Sequence, residues 1–462
     1  MCTIAEAEVG NSVRVSMYFD GTGNNRQNVG RGYTQRAGGS STSGSYDNDY
    51  SNVSRLEQQQ GAHEGYDYSF KYYVEGIGTQ NLGSDVPQGN AEGRGITGIS
   101  AKVDRGIRHL LEGIENAVVS RRISHVHLDA FGFSRGAAAA RHFVFKMMRE
   151  DGQTLLDRLR ERGFTVGSVA VKFVGLFDTV ASYGFAHTDD TRDLDLDAIA
   201  SADYVVQLAA GDEHRANFRL TDINSAKRQN KGLEIFLPGV HSDIGGGYLD
   251  GASETDLQIY DHDSVGWNSD VQTASLAFER QWLSQMGWYH LSEIGAPTMT
   301  NEIYVNRTGI SNKYTFIPMH LMARYATQYG CSYPTLDLGS GSNYGATTTP
   351  ARYRIPLALN SAKQEIQTYI DTVAVPGTGT PTDWINNDAD WLRTVRHGYF
   401  HFSAYYGSIG MGPQWRRLTT AAGLAKTFPF MRSTAAMVAA NPALVADADA
   451  TDGYRLRIVQ HG

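Results

Sequence analysis

Ser134, Asp178 and His241 each follow a run of apolar residues, and together they have the side chains that covalent acyl transfer requires. Ser134 lies in GFSRG (Gly132–Gly136), which matches the G-x-S-x-G pattern of a nucleophile elbow. In that motif a strand-turn-helix holds the serine in a strained turn, and its flanks are small because larger side chains have no room. The weight comes from context, with the short apolar run Ile123–Phe131 before the motif and the alanine-rich helix former Ala137–Met148 after it. A simpler role for Ser134 in the same setting is a helix N-cap.

A nucleophilic serine needs an imidazole base and a carboxylate that orients it. Among 14 histidines, His241 follows a buried-strand candidate in PGVHSDIGGGY, with Asp243 two residues on. Asp178 ends another such strand in VGLFDTVAS, and His401, in HGYFHFSAYY, is a second candidate base. Two triads therefore compete. One is Ser134, Asp178 and His241. The other is Ser134, Asp243 and His401, nearer the usual hydrolase order of acid after the penultimate strand and base after the last. Both keep the chain order Ser, Asp, His. In non-catalytic roles Asp178 and Asp243 would be caps or turn residues, and His401 a core histidine.

Acyl transfer also needs two preorganised N–H donors for the oxyanion. The backbone of Arg135, directly after the serine, is one. The glycine-rich turn Gly21-Thr22-Gly23 suits the other, through the N–H of Thr22, unless it is a plain polar turn. A phosphate loop of the Walker type would end in G-K-[ST], whereas this turn runs into Asn24-Asn25. Asp243 with Ser242, and the acidic Asp47–Tyr50, lack the spacing of a calcium loop. No metal or other cofactor is expected. The run Gly245–Gly247 is read as letting backbone approach the floor of the site.

These residues need a sheet to hold them. Strands are expected at Ser12–Phe19, Tyr66–Glu75, Ile123–Phe131, Val169–Phe177 and Leu233–Val240. Helices are expected at Ile99–Val119, Ala137–Met148, Leu194–Ala209, Val271–Met286 and near Ser361–Val373. Near-continuous apolar strands alternating with helices point to an α/β fold. It is an α/β-hydrolase-like, mostly parallel sheet with helices on both faces. Residues 1–290 are read as this catalytic core and 291–390 as a less regular insertion or cap. Within 391–462, Trp391–Ser403 is read as the last core strand and Ala421–Ala450 as a helical tail. Gly30–Tyr50 and Leu338–Thr349 read as long surface loops.

Composition narrows the class. The chain has 462 residues, 41% of them hydrophobic, which is enough for a sizeable core. A net charge of −8 and a pI near 6.0 argue against a nucleic-acid partner, which calls for a basic surface. Its two cysteines, Cys2 and Cys331, allow neither a disulfide framework nor a zinc cluster. The first residues lack the basic and apolar blocks of a signal peptide, so a cytosolic product is expected, exported by a route that reads no such signal.

In order, FDGTGNN, GFSRGA, LFDTVAS and PGVHSDIGGGY resemble the α/β-hydrolase domain of type VI secretion phospholipase effectors, specifically the first lipase-effector family. The resemblance spans Val13 to Tyr248, with a weaker echo at YFHFS. It implies an antibacterial phospholipase of A1 or A2 type that attacks the membrane lipids of a competing cell, reached in its periplasm. It places the family's serine on Ser134, its acid on Asp178 and its histidine on His241, favouring the first triad. It further implies two protein partners, a secretion spike protein and a cognate immunity protein. A membrane-anchoring region, where the family has one, would fall here in Leu291–Asp390 or the alanine-rich tail. An esterase acting on a non-lipid substrate, or a non-catalytic binding module on the same fold, are the rival readings.

Overall fold

Strand β1 (Asn11–Phe19) shows why the central sheet is covered on both faces. Its Val13, Val15, Met17 and Phe19 enter one apolar layer while Tyr18 enters the other, following the two-residue period of a strand. The computed structural model describes residues 10–86, 95–150, 152–183, 188–189, 194–215, 217–260, 279–300, 302–346, 349–373, 384–385, 387–406, 411–412 and 459–460. After β1 come α1 (Arg26–Ala37), α2 (Asn52–Gln59), β2 (Tyr68–Val74), α3 (Ile99–Ala117), β3 (Arg122–Phe133), α4 (Arg135–Met148), α5 (Leu155–Glu161) and β4 (Thr165–Phe177). Then follow β5 (Tyr204–Ala210), β6 (Gly232–Leu237), α6 (His241–Gly245), β7 (Ala252–Tyr260), β8 (Ile303–Ile310), α7 (Phe316–Gln328), α8 (Asn360–Val373) and α9 (Asp390–Tyr399).

Six of these strands form one parallel sheet in the order β2-β1-β3-β4-β5-β6. The chain leaves β1 for one neighbour and returns beside it on the other side as β3. Between β1 and β3 the order therefore reverses, and ligands of open α/β sheets bind at the carboxyl ends of strands at such a switch point. Helices α3 and α4 pack on one face, where Val103, Leu110, Ile114 and Phe143 are buried. Helices α2 and α7 pack on the other, where Ile317, Leu321 and Met322 meet Phe131, Phe173 and Val206. This is the expected α/β-hydrolase-like fold. No helix of the described residues is long and apolar enough to cross a membrane.

Four expectations change. Leu194–Ala209, expected as a helix, is a 3-10 turn at Leu196–Ser201 followed by β5, whose residues after Tyr204 are all buried. A strand buried on both faces shows no alternation, so its pattern is easily taken for a buried helix. The loop expected from Gly30 is helical to Ala37, because the Asn25 side chain accepts from the Gln27 and Asn28 amides and starts α1. Trp391–Ser403 is no sheet strand, since α9 covers Asp390–Tyr399 and an irregular segment follows. Within 291–390, expected as an insertion or cap, α7 is buried against β4 and β5 as part of the main core. The alanine-rich tail and residues 271–278 lie outside the described residues.

Candidate active site

Ser134 stands between β3 and α4 with φ 58° and ψ −129°, outside the regions a serine prefers. Its amide donates to the Phe177 carbonyl at 3.0 Å, and its carbonyl accepts from Ala137 at 3.0 Å, so the turn is pinned on both sides. Although it occupies the N-cap position of α4, its side chain makes no capping hydrogen bond. Both flanking glycines are required sterically. A Cβ on Gly136 would lie 2.2 Å from the Asp20 carbonyl oxygen, and one on Gly132 would lie 2.3 Å from that of Gly136.

Asp178 ends β4 with φ 43°, a second left-handed residue at the same sheet edge. Its amide donates to the Leu208 carbonyl at 2.8 Å, and its Oδ1 accepts from the Ala210 amide at 2.8 Å. That leaves Oδ2, which lies 2.5 Å from Nδ1 of His241. A proton on Nδ1 satisfies this contact and leaves Nε2 with the lone pair of a base. The His241 ring is held between Phe133, with centroids 4.6 Å apart, and the edge-on Phe218 at 5.0 Å. Burial lowers the pKa of His241, and the bond to Asp178 opposes that shift only in part. The imidazole is thus kept neutral below its ordinary range, as a general base requires. Gly245 follows from the same packing, because a Cβ there would lie 2.0 Å from the Phe133 ring.

The expected oxyanion residues also meet here. Gly21 to Asn24 form a turn closed by Asn24 N–H to the Gly21 carbonyl at 2.9 Å, with Gly23 at φ 71° as in a type II turn. Gly21 donates to Asp20 Oδ1 and Gly23 to the Ile77 carbonyl, whereas the Thr22 N–H has no acceptor among the described residues. Arg135 Nε donates to Thr22 Oγ1 at 2.8 Å, joining the turn to the elbow. Arg135 takes the first position of α4, where a backbone N–H has no acceptor within the helix.

Asp243 and His401 also form a pair, with His401 Nδ1 3.0 Å from Asp243 Oδ1. The Asp243 carboxylate accepts in addition from the amides of Val240 and His401, and so ties α6 to the segment after α9. His401 stacks on Tyr248 with ring centroids 3.7 Å apart. His241 and Asp243 are two positions apart on one helix, about 200° around its axis, so the two pairs face away from each other.

Sequence reasoning missed Glu213. Buried after β5, it accepts from the His241 amide at 3.2 Å, from Ser403 Oγ and from the guanidinium of Arg215. Arg215 in turn lies over the Phe218 ring. Reading β5 as a helix concealed that Asp212–Arg215 emerges at the same sheet edge as Asp178. Among the described residues, His63, Asp129 and Cys331 offer metal-type donor atoms within 4.8 Å of one another. The Arg14 guanidinium already binds Asp129 at 2.8 and 3.0 Å there and supplies the positive charge.

Residues 149–267 match the family model described as T6SS, phospholipase effector Tle1-like, catalytic domain. The matched stretch holds Asp178, His241 and Asp243 and begins after Ser134. A solved structure of the Tle1 effector bound to the VgrG spike from the type 6 secretion system is similar in fold. Its TM-score is 0.57 at 22% identity, over 86% of this chain and 85% of that one. A crystal structure of an uncharacterized protein from Pseudomonas aeruginosa aligns with 81% of this chain and 52% of its own, at 18% identity and a TM-score of 0.34. No curated protein matches the chain.

Proposed function

Starting from a chain whose residues 149–267 carry the catalytic-domain signature of Tle1-like type VI secretion phospholipase effectors, we propose that it hydrolyses a carboxylic ester of membrane phospholipid. The observation that carries this reading is the Asp178–His241 hydrogen bond at the sheet edge that also holds the strained Ser134. In the proposed mechanism His241 Nε2 takes the proton of Ser134 Oγ as that oxygen attacks the acyl carbonyl. Asp178 keeps the proton on Nδ1 and stabilises the imidazolium. The Thr22 and Arg135 amides bind the developing oxyanion. His241 then gives its proton to the leaving glyceryl oxygen, and water, deprotonated in the same way, releases the fatty acid.

Cleavage at either the first or the second acyl position would fit this chemistry. Delivery on a spike protein, neutralisation by an immunity protein and action from the target periplasm belong to the same proposal. The spike is the partner seen with the Tle1 effector of similar fold. The test is incubation of wild type and Ser134→Ala with a fluorophosphonate, read by intact mass, followed by fatty-acid release from phospholipid vesicles. One adduct on wild type, none on Ser134→Ala, and release by wild type alone are expected. Labelling without release from vesicles would point to a non-lipid ester. No labelling, with or without vesicles, would leave a binding module.

A further inference from the structure

The oxyanion turn follows β1 and the base follows β6, more than 200 residues apart in the chain and on strands that are not neighbours in the sheet. One polar segment touches both. Asn48 Nδ2 donates to the Gly23 carbonyl at 2.8 Å, in the turn that carries the Thr22 amide. On the other side, Asp49 N–H donates to the Gly247 carbonyl at 2.8 Å, and Ser51 pairs with Gly246 as an antiparallel bridge. Asn52, fully buried, donates to the Ile244 carbonyl at 2.8 Å and to Thr315.

The segment is itself held from behind. Arg55, only 2% exposed, donates to Asn52 Oδ1 and Asp49 Oδ2, each at 3.1 Å. Asn312 Nδ2 donates to Asp49 Oδ2 at 2.7 Å and to the Tyr248 carbonyl at 2.8 Å. The amides of Asn48 and Asn52 thus reach backbone carbonyls on opposite sides of the site, and the largely buried hydrogen bonds behind them limit how far the segment can move.

We infer that residues 48–52 are a strut that sets the spacing between the oxyanion donor of Thr22 and the imidazole of His241, with Asn48 and Asn52 as positioning residues. The inference rests on the serine-hydrolase reading above. Binding of a ground-state ester needs little of this spacing, whereas stabilising its tetrahedral intermediate needs all of it. Loss of the strut therefore acts on kcat rather than on KM.

The test uses the full-length protein, with wild type, Asn48→Ala, Asn48→Gln and Asn52→Ala compared on a short-chain chromogenic ester and on fluorophosphonate labelling. Asn48 is half-buried and contributes one bond, so Asn48→Ala should keep the wild-type Tm. Its kcat and labelling rate should fall about 10- to 100-fold with KM unchanged, the scale on which a displaced catalytic group costs rate. Asn48→Gln retains a donor and should recover part of that loss. Asn52→Ala removes the hold on Ile244, three residues beyond His241, so it should also move the midpoint of the acid limb of kcat/KM. Wild-type kcat and labelling in Asn48→Ala would overturn the strut, as would a fall in kcat matched by a fall in Tm without recovery in Asn48→Gln. An unlabelled wild type would fell the serine-hydrolase reading and the strut with it, a result visible without any variant.

Discussion

Ser134 and Asp178 both hold positive φ, a conformation that costs a non-glycine residue of order 1–3 kcal/mol. The strain is consistent with aiming one side chain out of the elbow and bringing the other under His241. Asp178→Asn should therefore preserve the fold but present an amide to Nδ1, favouring the wrong tautomer. A fall of about 10⁴-fold in kcat is expected, measured on a soluble ester. The histidine adds a pH signature. Burial lowers its pKa, so the neutral base persists on acidification. The acid limb of kcat/KM should accordingly have its midpoint below the ordinary imidazole value of about 6.5. A midpoint above that value would remove His241 as the base.

At the scale of elements, the close contact of α4 with the end of β1 sets backbone against backbone beside Ser134. Gly136→Ala would press a methyl group onto the Asp20 and Phe19 carbonyl oxygens, at 2.2 and 2.4 Å. Backbone has little room to give, so a loss of about 1–3 kcal/mol is expected from overpacking, with slower labelling of Ser134. Thermal unfolding and labelling rates measure the two effects, and an unchanged Tm would show that the elbow is looser than described. Much of this element layer was legible in the sequence. The apolar runs around Ser134, Asp178 and His241 end at the sheet edge where the structure puts those residues. What was not legible has physical causes. The mostly apolar β5, buried on both faces, has no alternation to distinguish it from a helix, and this hid Glu213. The strut at 48–52 is polar and irregular, so nothing in its composition separates it from a solvent loop. His401 follows a helix rather than the expected last strand, although its pairing with Asp243 was one of the two acid–base pairs the sequence offered.

The whole molecule carries a pH dependence that the site alone does not. Burial lowers the pKa of His63, His142 and His241, and brings those of His127 and His320 to about 4. A depressed folded-state pKa means that the unfolded chain takes up protons first as pH falls. Stability from these groups is then full above about pH 6.5 and is lost on descent toward pH 4. For the fully buried His320 the loss is about 3 kcal/mol. Asp20 and Asp243 act in the opposite sense, because burial raises their pKa values and favours their protonated forms in the fold. The Tm should decline between pH 7 and pH 4.5, and His320→Gln, which can still donate to the Tyr353 carbonyl, should flatten that decline. A Tm that holds steady over this range would contradict the assignment.

The place of α7 has a consequence in time. All six sheet strands are complete by Leu237, yet the helix that closes over Phe131, Phe173 and Val206 starts about 80 residues later, at Phe316. At ribosomal speeds of ~5–20 residues per second, that interval lasts ~4–16 s, during which one apolar face has α2 but lacks α7 as cover. Nascent chains stopped before Phe316 should therefore be captured by chaperones or aggregate rather than fold. Ser134, present in the chain long before, would have to wait for the helix that closes its core before its surroundings are complete.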